Sequence, residues 1–146
     1  MSSVDSLFTP IAIGSVTIKN RIYMPAMHLN MCKNHQVSER LIGFYRERAK
    51  GGAGLISVGY ATVDELSGTP ANIGAHDNAF LPGLSRLAQA IHEGGAKGTV
   101  QLNHAGRYNS SMFLGGRKPV APSAVPCRLT RETPEELSRD GIKATV

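Results

Sequence analysis

The sequence is poor in cysteine, aromatic residues and long apolar runs. It has two cysteines and no tryptophan, and aromatic residues make up 5% of its 146 positions. Two cysteines do not make a disulfide framework, which favours a reducing compartment. No apolar run approaches the roughly 18 residues that a membrane helix needs, and residues 1–5 lack the basic and apolar regions of a secretory signal. We therefore expect a cytoplasmic protein that makes no membrane contact.

Basic residues outnumber acidic ones, and the formal net charge is +5. The basic residues are interleaved with acids, as at 46–48 and 131–132, and no predicted helix face carries a basic stripe. Proteins that bind nucleic acids gather their cations on one face or along one helix. We therefore expect a solvated surface of mixed charge and no nucleic-acid partner.

Segments with strand and helix patterns alternate along the chain. The predicted order is a hairpin at 10–18, a strand at 21–24, a helix from the N-cap Ser38 to Lys50, a strand at 55–58, a helix at 84–93 and a strand at 98–102. A glycine- and proline-rich stretch follows at 103–130, and a loop of that length is usually functional. The capping-box pattern at 133–136 predicts a third helix that runs from there to Val146.

Strands that alternate with helices predict a parallel sheet of right-handed βαβ units. Such units begin either a doubly wound sheet or a TIM (β/α)8 barrel. A doubly wound nucleotide domain usually carries a glycine-rich turn after its first strand, but residues 25–28 of this chain contain no glycine. The barrel is therefore favoured. A complete barrel takes roughly 250 residues, so we expect 1–146 to be an incomplete barrel domain of about three β/α units plus the hairpin, truncated in the third helix.

Several short motifs follow one another along the chain. They are LFTP at 7–10 with Gly14, NR at 20–21, MPAMH at 24–28, AGLI at 53–56 with Gly59, QLNHAGR at 101–107 and PVAPS at 119–123. In order and spacing, from about Leu7 to the end of the chain, they resemble the old yellow enzyme family of NADH:flavin oxidoreductases and 2,4-dienoyl-CoA reductases. The resemblance implies the amino-terminal part of an FMN-binding TIM barrel.

The resemblance also implies a set of cofactor-binding residues at the carboxyl ends of the first three strands, where barrel enzymes gather their function. This set is Pro25, Ala26, Met27, Gly59, Tyr60 and Gln101. The first three would lie along the flavin ring, and the next two would end the second strand beneath it. Gln101 would offer its amide, a donor and an acceptor, to the flavin pyrimidine. Tyr60 departs from the family, because many members have a small alanine there.

Two further residues are expected at the edge of the pocket. His28 stands where many family members have threonine or cysteine, a position that tunes the electron affinity of the flavin, and Arg107 would shape the pocket rim. Taken alone, His28 could equally be a loop histidine, and Gln101 would more often be a surface residue. His104 is expected to be structural and to bond backbone at the start of the long loop. Met24 is expected in the barrel interior.

Cys32 invites two other interpretations, and both are weak. It lies near His28 and His35 in sequence, but no ordered triad is evident that would make it a nucleophile. The same three residues lie in a loop whose spacing gives no fixed ligand geometry. We therefore expect no metal site.

The resemblance implies an FMN-dependent oxidoreductase of the ene-reductase type. Hydride would pass from NADH or NADPH through FMN to a small unsaturated carbonyl or thioester substrate. A homo-oligomer is compatible with this interpretation, as are a 4Fe-4S cluster and FAD in a further region. We expect the chain alone to be inactive, because the family's substrate-binding histidine pair, proton-donating tyrosine and phosphate-binding strands are not within it.

Two alternatives stay open on the sequence. One is a stand-alone half-barrel that associates with itself or with a partner and binds no flavin. The other is a barrel enzyme that uses no flavin. Flavin absorbance in the purified protein would exclude the first.

Overall fold

A parallel sheet lies at the centre of the structure, a computed structural model that describes residues 4–146. The strands are β1 (Ile11–Ile13), β2 (Val16–Ile18), β3 (Tyr23–Met24), β4 (Leu55–Thr62), β5 (Ile73–Gly74), β6 (Lys97–Asn103), β7 (Val120–Ala121) and β8 (Glu135–Glu136). The helices are α1 (Glu39–Lys50), α2 (Leu81–Glu93) and α3 (Arg139–Thr145), and short 3-10 turns span Asp5–Phe8, Asn78–Phe80 and Gly106–Tyr108.

Strand β4 is the middle of the sheet. It pairs in parallel with β3, where Met24 lies opposite Ile56, and with β6 along most of its length. Its last two residues pair in parallel with β5. β1 and β2 form the predicted antiparallel hairpin outside this sheet. The parallel order confirms the predicted βαβ units.

Helix α1 begins at its predicted N-cap. The Ser38 hydroxyl accepts a hydrogen bond from the Leu41 amide at 3.1 Å, which satisfies one of the backbone donors that a helix leaves free at its start. The buried face of α1 consists of Leu41, Ile42, Tyr45 and Ala49. Together with Leu87 and Ile91 of α2 and Ile56 and Val58 of β4, these residues form the hydrophobic core. The core therefore lies between the sheet and the two helices.

The opposite face of the sheet is exposed at its outer strands β3 and β6, whereas β4 between them is buried. Side chains alternate between the two faces of a strand, so Tyr23, Ser57 and Thr99 lie on the face away from the core. Tyr23 is 52% exposed. All of β6 before Asn103 is exposed, because β4 is the one strand that pairs with it in the described part of the chain. This open face corresponds to the barrel interior.

The third helix begins later than the capping box predicts. Residues 135–136 form β8, which pairs in parallel with β7, and the Glu135 amide donates to the Pro119 carbonyl at 2.8 Å. The helix starts at Arg139, where the Ser138 hydroxyl accepts from the Gly141 amide at 3.1 Å. The predicted start at 133–136 is therefore wrong. A ladder to a strand 15 residues away in sequence outcompetes the local capping pattern, which is worth only about 1 kcal/mol.

Two smaller expectations also need correction. Met24 packs against the core on the helix side of the sheet, and its neighbour Tyr23 lies on the interior face. Helix α2 starts at Leu81, three residues before the first residue of the predicted helix, and it has proline in its first turn. Proline suits that position, because it lacks the N–H that would be unpaired there. Within residues 4–146, none of the helices is long and apolar enough to cross a membrane.

The contact between α1 and α2 gives a direct test of the packing. A Cβ added at Gly94 would overlap the Cβ of Ala49 and lie 3.0 Å from the Lys50 amide, whereas one added at Gly43 would meet nothing within 4 Å. Overpacking of this kind costs about 1–3 kcal/mol. We expect Gly94→Ala to lower the urea midpoint of unfolding accordingly.

Gly43→Ala is the matched control. Position 43 lies in the interior of α1, where alanine is about 1 kcal/mol more favourable than glycine. We expect this variant to raise the midpoint. An unchanged midpoint for Gly94→Ala would show that the end of α2 is not held against α1.

Candidate functional site

The predicted site residues lie along one edge of the sheet. Pro25 follows β3, Gly59 and Tyr60 lie in the second half of β4, and Gln101 lies near the end of β6. Because the three strands are parallel and paired in register, their carboxyl ends meet at the same edge. The segment 25–28, the irregular part of β4 and the end of β6 are therefore brought together, as the sequence predicts.

At Gly59 the segment that follows β3 lies directly against β4. A Cβ at this position would overlap the Cβ of Ala26 and lie 3.3 Å from the Met27 amide. The segment after β3 can therefore lie directly on β4 only because residue 59 is glycine. The structure thus gives Gly59 a packing contact with Ala26, which the sequence interpretation did not include.

The backbone of Gly59 is also held from the helix side. Its amide donates to the hydroxyl of Tyr45 at 3.2 Å, and Tyr45 is fully buried. Burial raises the pKa of this phenol, so it stays protonated at neutral pH. Helix α1 thus fixes one backbone group at the edge of the site.

The pairing between β4 and β6 shifts between Val58 and Ala61. Gly59 and Tyr60 stand at this irregularity, so β4 does not end there but continues to Thr62. Bulges of this kind redirect side chains and are common beside active sites. The predicted end of the second strand at Tyr60 is therefore a bulge within a longer strand.

Gln101 projects on the open face of the sheet. Gly98 lies in ordinary contact distance of Ile91 of α2, so strand alternation places Thr99 and Gln101 on the other face. Gln101 is exposed, and no hydrogen bond engages its side chain among residues 4–146. A primary amide thus stands free at the carboxyl edge of the sheet.

His28 and Tyr60 form a pair that the sequence did not predict. Their ring centroids are 4.7 Å apart, and both side chains reach Asn72. The Asn72 side-chain nitrogen lies 2.7 Å from His28 Nε2, and the Tyr60 hydroxyl lies 3.4 Å from its oxygen. Burial raises the pKa of Tyr60, although the Asn72 contact opposes this. Tyr60, which departs from the family pattern, therefore packs against the His28 ring in a tilted arrangement.

Arg107 lies in the 3-10 turn just beyond β6. Its guanidinium carbon is 5.4 Å from the centroid of the Tyr108 ring. Both residues line a surface cavity together with Val125, Pro126, Arg128 and Leu129. Arg107 thus lines a surface cavity whose other wall comes from the long loop. Its expected place at the rim of the flavin pocket stays a prediction.

His104 fixes the start of the long loop. Its Nδ1 accepts a hydrogen bond from the Gly106 amide at 2.9 Å, and its Nε2 lies 3.4 Å from a carboxylate oxygen of Asp64. These contacts agree with the expected structural role, in which His104 bonds backbone at the loop start.

Glu132 lies just beyond the long loop and hydrogen-bonds to two residues near the start of that loop. Its carboxylate accepts from the Ser110 hydroxyl at 2.7 Å and from the Ser111 amide at 3.0 Å. These bonds lower the pKa of Glu132, the Ser110 hydroxyl contributing most. No local pattern indicates this contact, because 21 residues separate Glu132 from Ser111.

The Cys32 thiol has the properties of a packed side chain and not those of a nucleophile. Burial raises the pKa of Cys32 to about 11, so its thiol is protonated at neutral pH and is a poor nucleophile. In the described part of the chain, no three histidine, cysteine or acidic side chains are grouped so that they could hold a metal ion.

Comparison with known proteins decides the family. Residues 6–146 match the NADH:flavin oxidoreductase / NADH oxidase family. The chain belongs to that family. A curated relative, the metal reductase of Desulforamulus reducens, is 46% identical over 140 residues, which are 96% of this chain and 21% of the relative. The chain thus spans about a fifth of the length of this relative.

Two solved structures of the family share the fold. The old yellow enzyme homologue from Zymomonas mobilis is 30% identical, with a TM-score of 0.86 over 94% of this chain and 41% of its own. The 2-naphthoyl-CoA reductase in complex with 2-naphthoyl-CoA is 33% identical, with a TM-score of 0.87 over 95% of this chain and 23% of its own. The predicted fold, part of a TIM barrel of the old yellow enzyme type, is confirmed.

The donor set at the sheet edge suits the flavin that this family implies. The pyrimidine of a flavin offers both hydrogen-bond donors and acceptors, and the free amide of Gln101 matches both. Pro25 and Met27 are exposed at the same edge and offer apolar surface beside it. The residues present thus fit the group.

The Glu132 contact predicts an acid-sensitive rim. A carboxylate whose pKa is lowered by folding stabilises the folded loop above its unfolded pKa, and this contribution is lost as the pH falls through the folded value. We therefore expect the protection of the Ser111 amide, the ratio of its intrinsic to its observed exchange rate, to fall as the pH is lowered below about 4.5, the ordinary value for this side chain. Hydrogen exchange followed by mass spectrometry measures this directly.

Glu132→Gln should remove the pH dependence, because an uncharged amide does not titrate. Glu135→Gln is the control, since Glu135 is exposed and its side chain makes no hydrogen bond within residues 4–146. Equal acid sensitivity in the wild type and Glu132→Gln would contradict the assignment of the loop contact to Glu132.

Proposed function

We propose that this chain forms the flavin-facing edge of an FMN-dependent oxidoreductase. The enzyme passes hydride from NADH or NADPH through the flavin to an activated alkene, either an enone or an enoyl thioester. The observation that carries the proposal is the free amide of Gln101 at the same sheet edge as the segment 25–28. Membership of the NADH:flavin oxidoreductase family supports the choice of cofactor.

Each residue of the edge has a distinct part in the proposal. Gln101 binds the pyrimidine, with its N–H group donating to a carbonyl and its oxygen accepting from a ring N–H. Pro25, Ala26 and Met27 lie along the ring, and the contact of Ala26 with Gly59 fixes their height above the sheet. Bound FMN supplies the hydride chemistry, and the protein supplies position and local electrostatics.

Tyr60 and His28 border the same space. Their rings, with centroids 4.7 Å apart, narrow the edge beside the segment 25–28. Arg107 forms the outer rim with the long loop and offers a positive charge to a substrate that approaches from solvent. The proposed site therefore has a polar floor, an aromatic side and a basic rim.

The class of substrate is supported by the relatives. One similar structure is an old yellow enzyme homologue, and another is a 2-naphthoyl-CoA reductase with its thioester bound. These favour an unsaturated carbonyl or thioester for this chain also. On the resemblance to the 2,4-dienoyl-CoA reductases, we also propose a 4Fe-4S cluster and FAD in a further region of the parent protein.

Gln101→Ala tests the proposal in the full-length protein that carries this chain. A typical hydrogen bond contributes about 0.5–1.5 kcal/mol, so the loss of two should weaken FMN binding by roughly 5- to 150-fold. Titration of the apoprotein with FMN, followed by flavin fluorescence, measures the change.

Gln89→Ala is the matched control. Gln89 lies on the exposed face of α2, where its amide donates to Glu93 at 2.8 Å. It should leave FMN affinity unchanged. Unchanged affinity in Gln101→Ala would instead favour a barrel enzyme without this flavin contact.

The isolated chain should reduce cyclohexenone with NADPH at no more than background rate. The reason is that its sheet interior is open along β6 and supplies one side of a barrel pocket. Absorbance at the NADPH band measures turnover. Stoichiometric FMN and steady turnover by the chain alone would overturn this expectation.

A further inference from the structure

Asn72 joins His28 and Tyr60, although it lies outside every motif that carries the family resemblance. It is 3% exposed, and it sits at the end of the loop between β4 and β5. Its oxygen accepts from the Thr69 amide at 2.7 Å and from the Thr69 hydroxyl at 3.1 Å. Its nitrogen faces His28 Nε2 at 2.7 Å and, more distantly, the Asn30 side-chain oxygen at 3.4 Å.

The orientation of the Asn72 amide follows from its backbone partner. A backbone N–H can only donate, so the atom that faces the Thr69 amide must be the oxygen. The NH2 group must then face His28. Because an NH2 group only donates, His28 Nε2 is the acceptor of the 2.7 Å hydrogen bond.

The acceptor role of Nε2 sets the tautomer of His28. In a neutral imidazole one ring nitrogen accepts and the other carries the proton. Nε2 accepts, so the proton is on Nδ1. A doubly protonated ring would turn an N–H toward the Asn72 NH2 group, which offers no lone pair. The stacking on Tyr60, with 40° between the ring planes, further limits rotation of the ring.

We propose that Asn72 is a positioning residue that holds His28 as the neutral Nδ1–H tautomer. His28 then presents a hydrogen-bond donor at the site edge and no positive charge. The electrostatic consequence rests on the proposed function, in which His28 lies beside the flavin. A neutral donor stabilises the negative charge of a reduced flavin less than an imidazolium does, so Asn72 sets the flavin's reduction potential through His28.

The tautomer is tested on the chain itself, without flavin. Two-dimensional 15N–1H NMR of histidine-labelled chain at pH 7.5 distinguishes an accepting from a protonated ring nitrogen. We expect the His28 signals of an unprotonated Nε2 and a protonated Nδ1. A protonated Nε2 would overturn the proposal, whatever the flavin does.

Asn72→Asp replaces the hydrogen-bond donor that faces His28 with an acceptor. Its carboxylate keeps the bond to the Thr69 amide and accepts from His28 Nε2–H. We expect the ring to keep a proton on Nδ1 as well, because an opposite charge at hydrogen-bond distance favours the imidazolium. In the FMN-loaded full-length protein we expect at least a tenfold shift toward reduced flavin, about 30 mV for a two-electron couple. The same variant should show a protonated Nε2 in the NMR experiment. No shift in a folded, FMN-loaded Asn72→Asp protein would overturn the electrostatic part of the proposal.

Asn109→Asp is the matched control. Asn109 is 4% exposed and donates to the carbonyls of Leu66 and Gly68 at 2.9 and 3.1 Å. The variant makes the same change of charge and disturbs the same loop but does not touch His28. We expect it to leave both the tautomer and the potential unchanged. An equal shift in Asn109→Asp would mean that loop disturbance, and no specific role of Asn72, moves the potential.

The proposed function and the proposed tautomer of His28 can be refuted independently of each other. A full-length protein that binds no flavin would defeat the proposed function, whereas the NMR result on the chain would still decide the tautomer. An accepting Nε2 supports the positioning role in either case.

Discussion

The structure depends on β4, a strand buried on both faces and paired along most of its length. β3, β5 and β6 take their registers from it, and α1 and α2 pack against its helix-facing side chains. A parallel strand in this position must be apolar nearly throughout and must have its backbone donors paired. Where the pairing slips, between Val58 and Ala61, the irregular backbone is held by the Tyr45 hydroxyl and covered by Ala26. The candidate site is built at this one interruption.

Two kinds of contact hold the edge together. Close backbone packing at Gly59 sets the height of the segment 25–27, and polar contacts at Asn72 set the orientation of His28 and Tyr60. The first depends on the absence of a side chain, and the second on one amide with four polar neighbours. Both kinds of contact are made among residues 26–72, so this part of the edge is formed although β6 is exposed along most of its length.

Local patterns predicted much of the fold. The cap at Ser38, the apolar spacing of α1 and the β-branched run of β4 each act within a few residues, so a single sequence is enough to recognise them. The strand order then follows from chain connectivity. The capping box at 133–136 failed because it is equally local and therefore carries no information about β7, whose ladder it meets only in the folded chain.

The site was predictable only in part, for the same reason. Motif positions placed Pro25, Gly59 and Gln101 at one edge, because parallel strands bring their ends together. Asn72 and Glu132 were not predicted. Their partners His28 and Ser111 lie more than 20 residues away in sequence, and neither residue stands in a recognisable pattern. An asparagine in a loop has many local uses as a turn former, and nothing in the sequence distinguishes the one that becomes buried.

The hydrogen bond from Gly59 to Tyr45 has a consequence for how this site tolerates change. The phenol reaches through the core from the second turn of α1 to a backbone group at the bulge. Phenylalanine at position 45 would fill nearly the same volume, yet it would leave a buried N–H without a partner, a cost of about 1–3 kcal/mol. A substitution that is neutral for helix packing would thus destabilise the backbone at the sheet edge. Helix α1 therefore supports the site through the Tyr45 hydroxyl and also packs over the core.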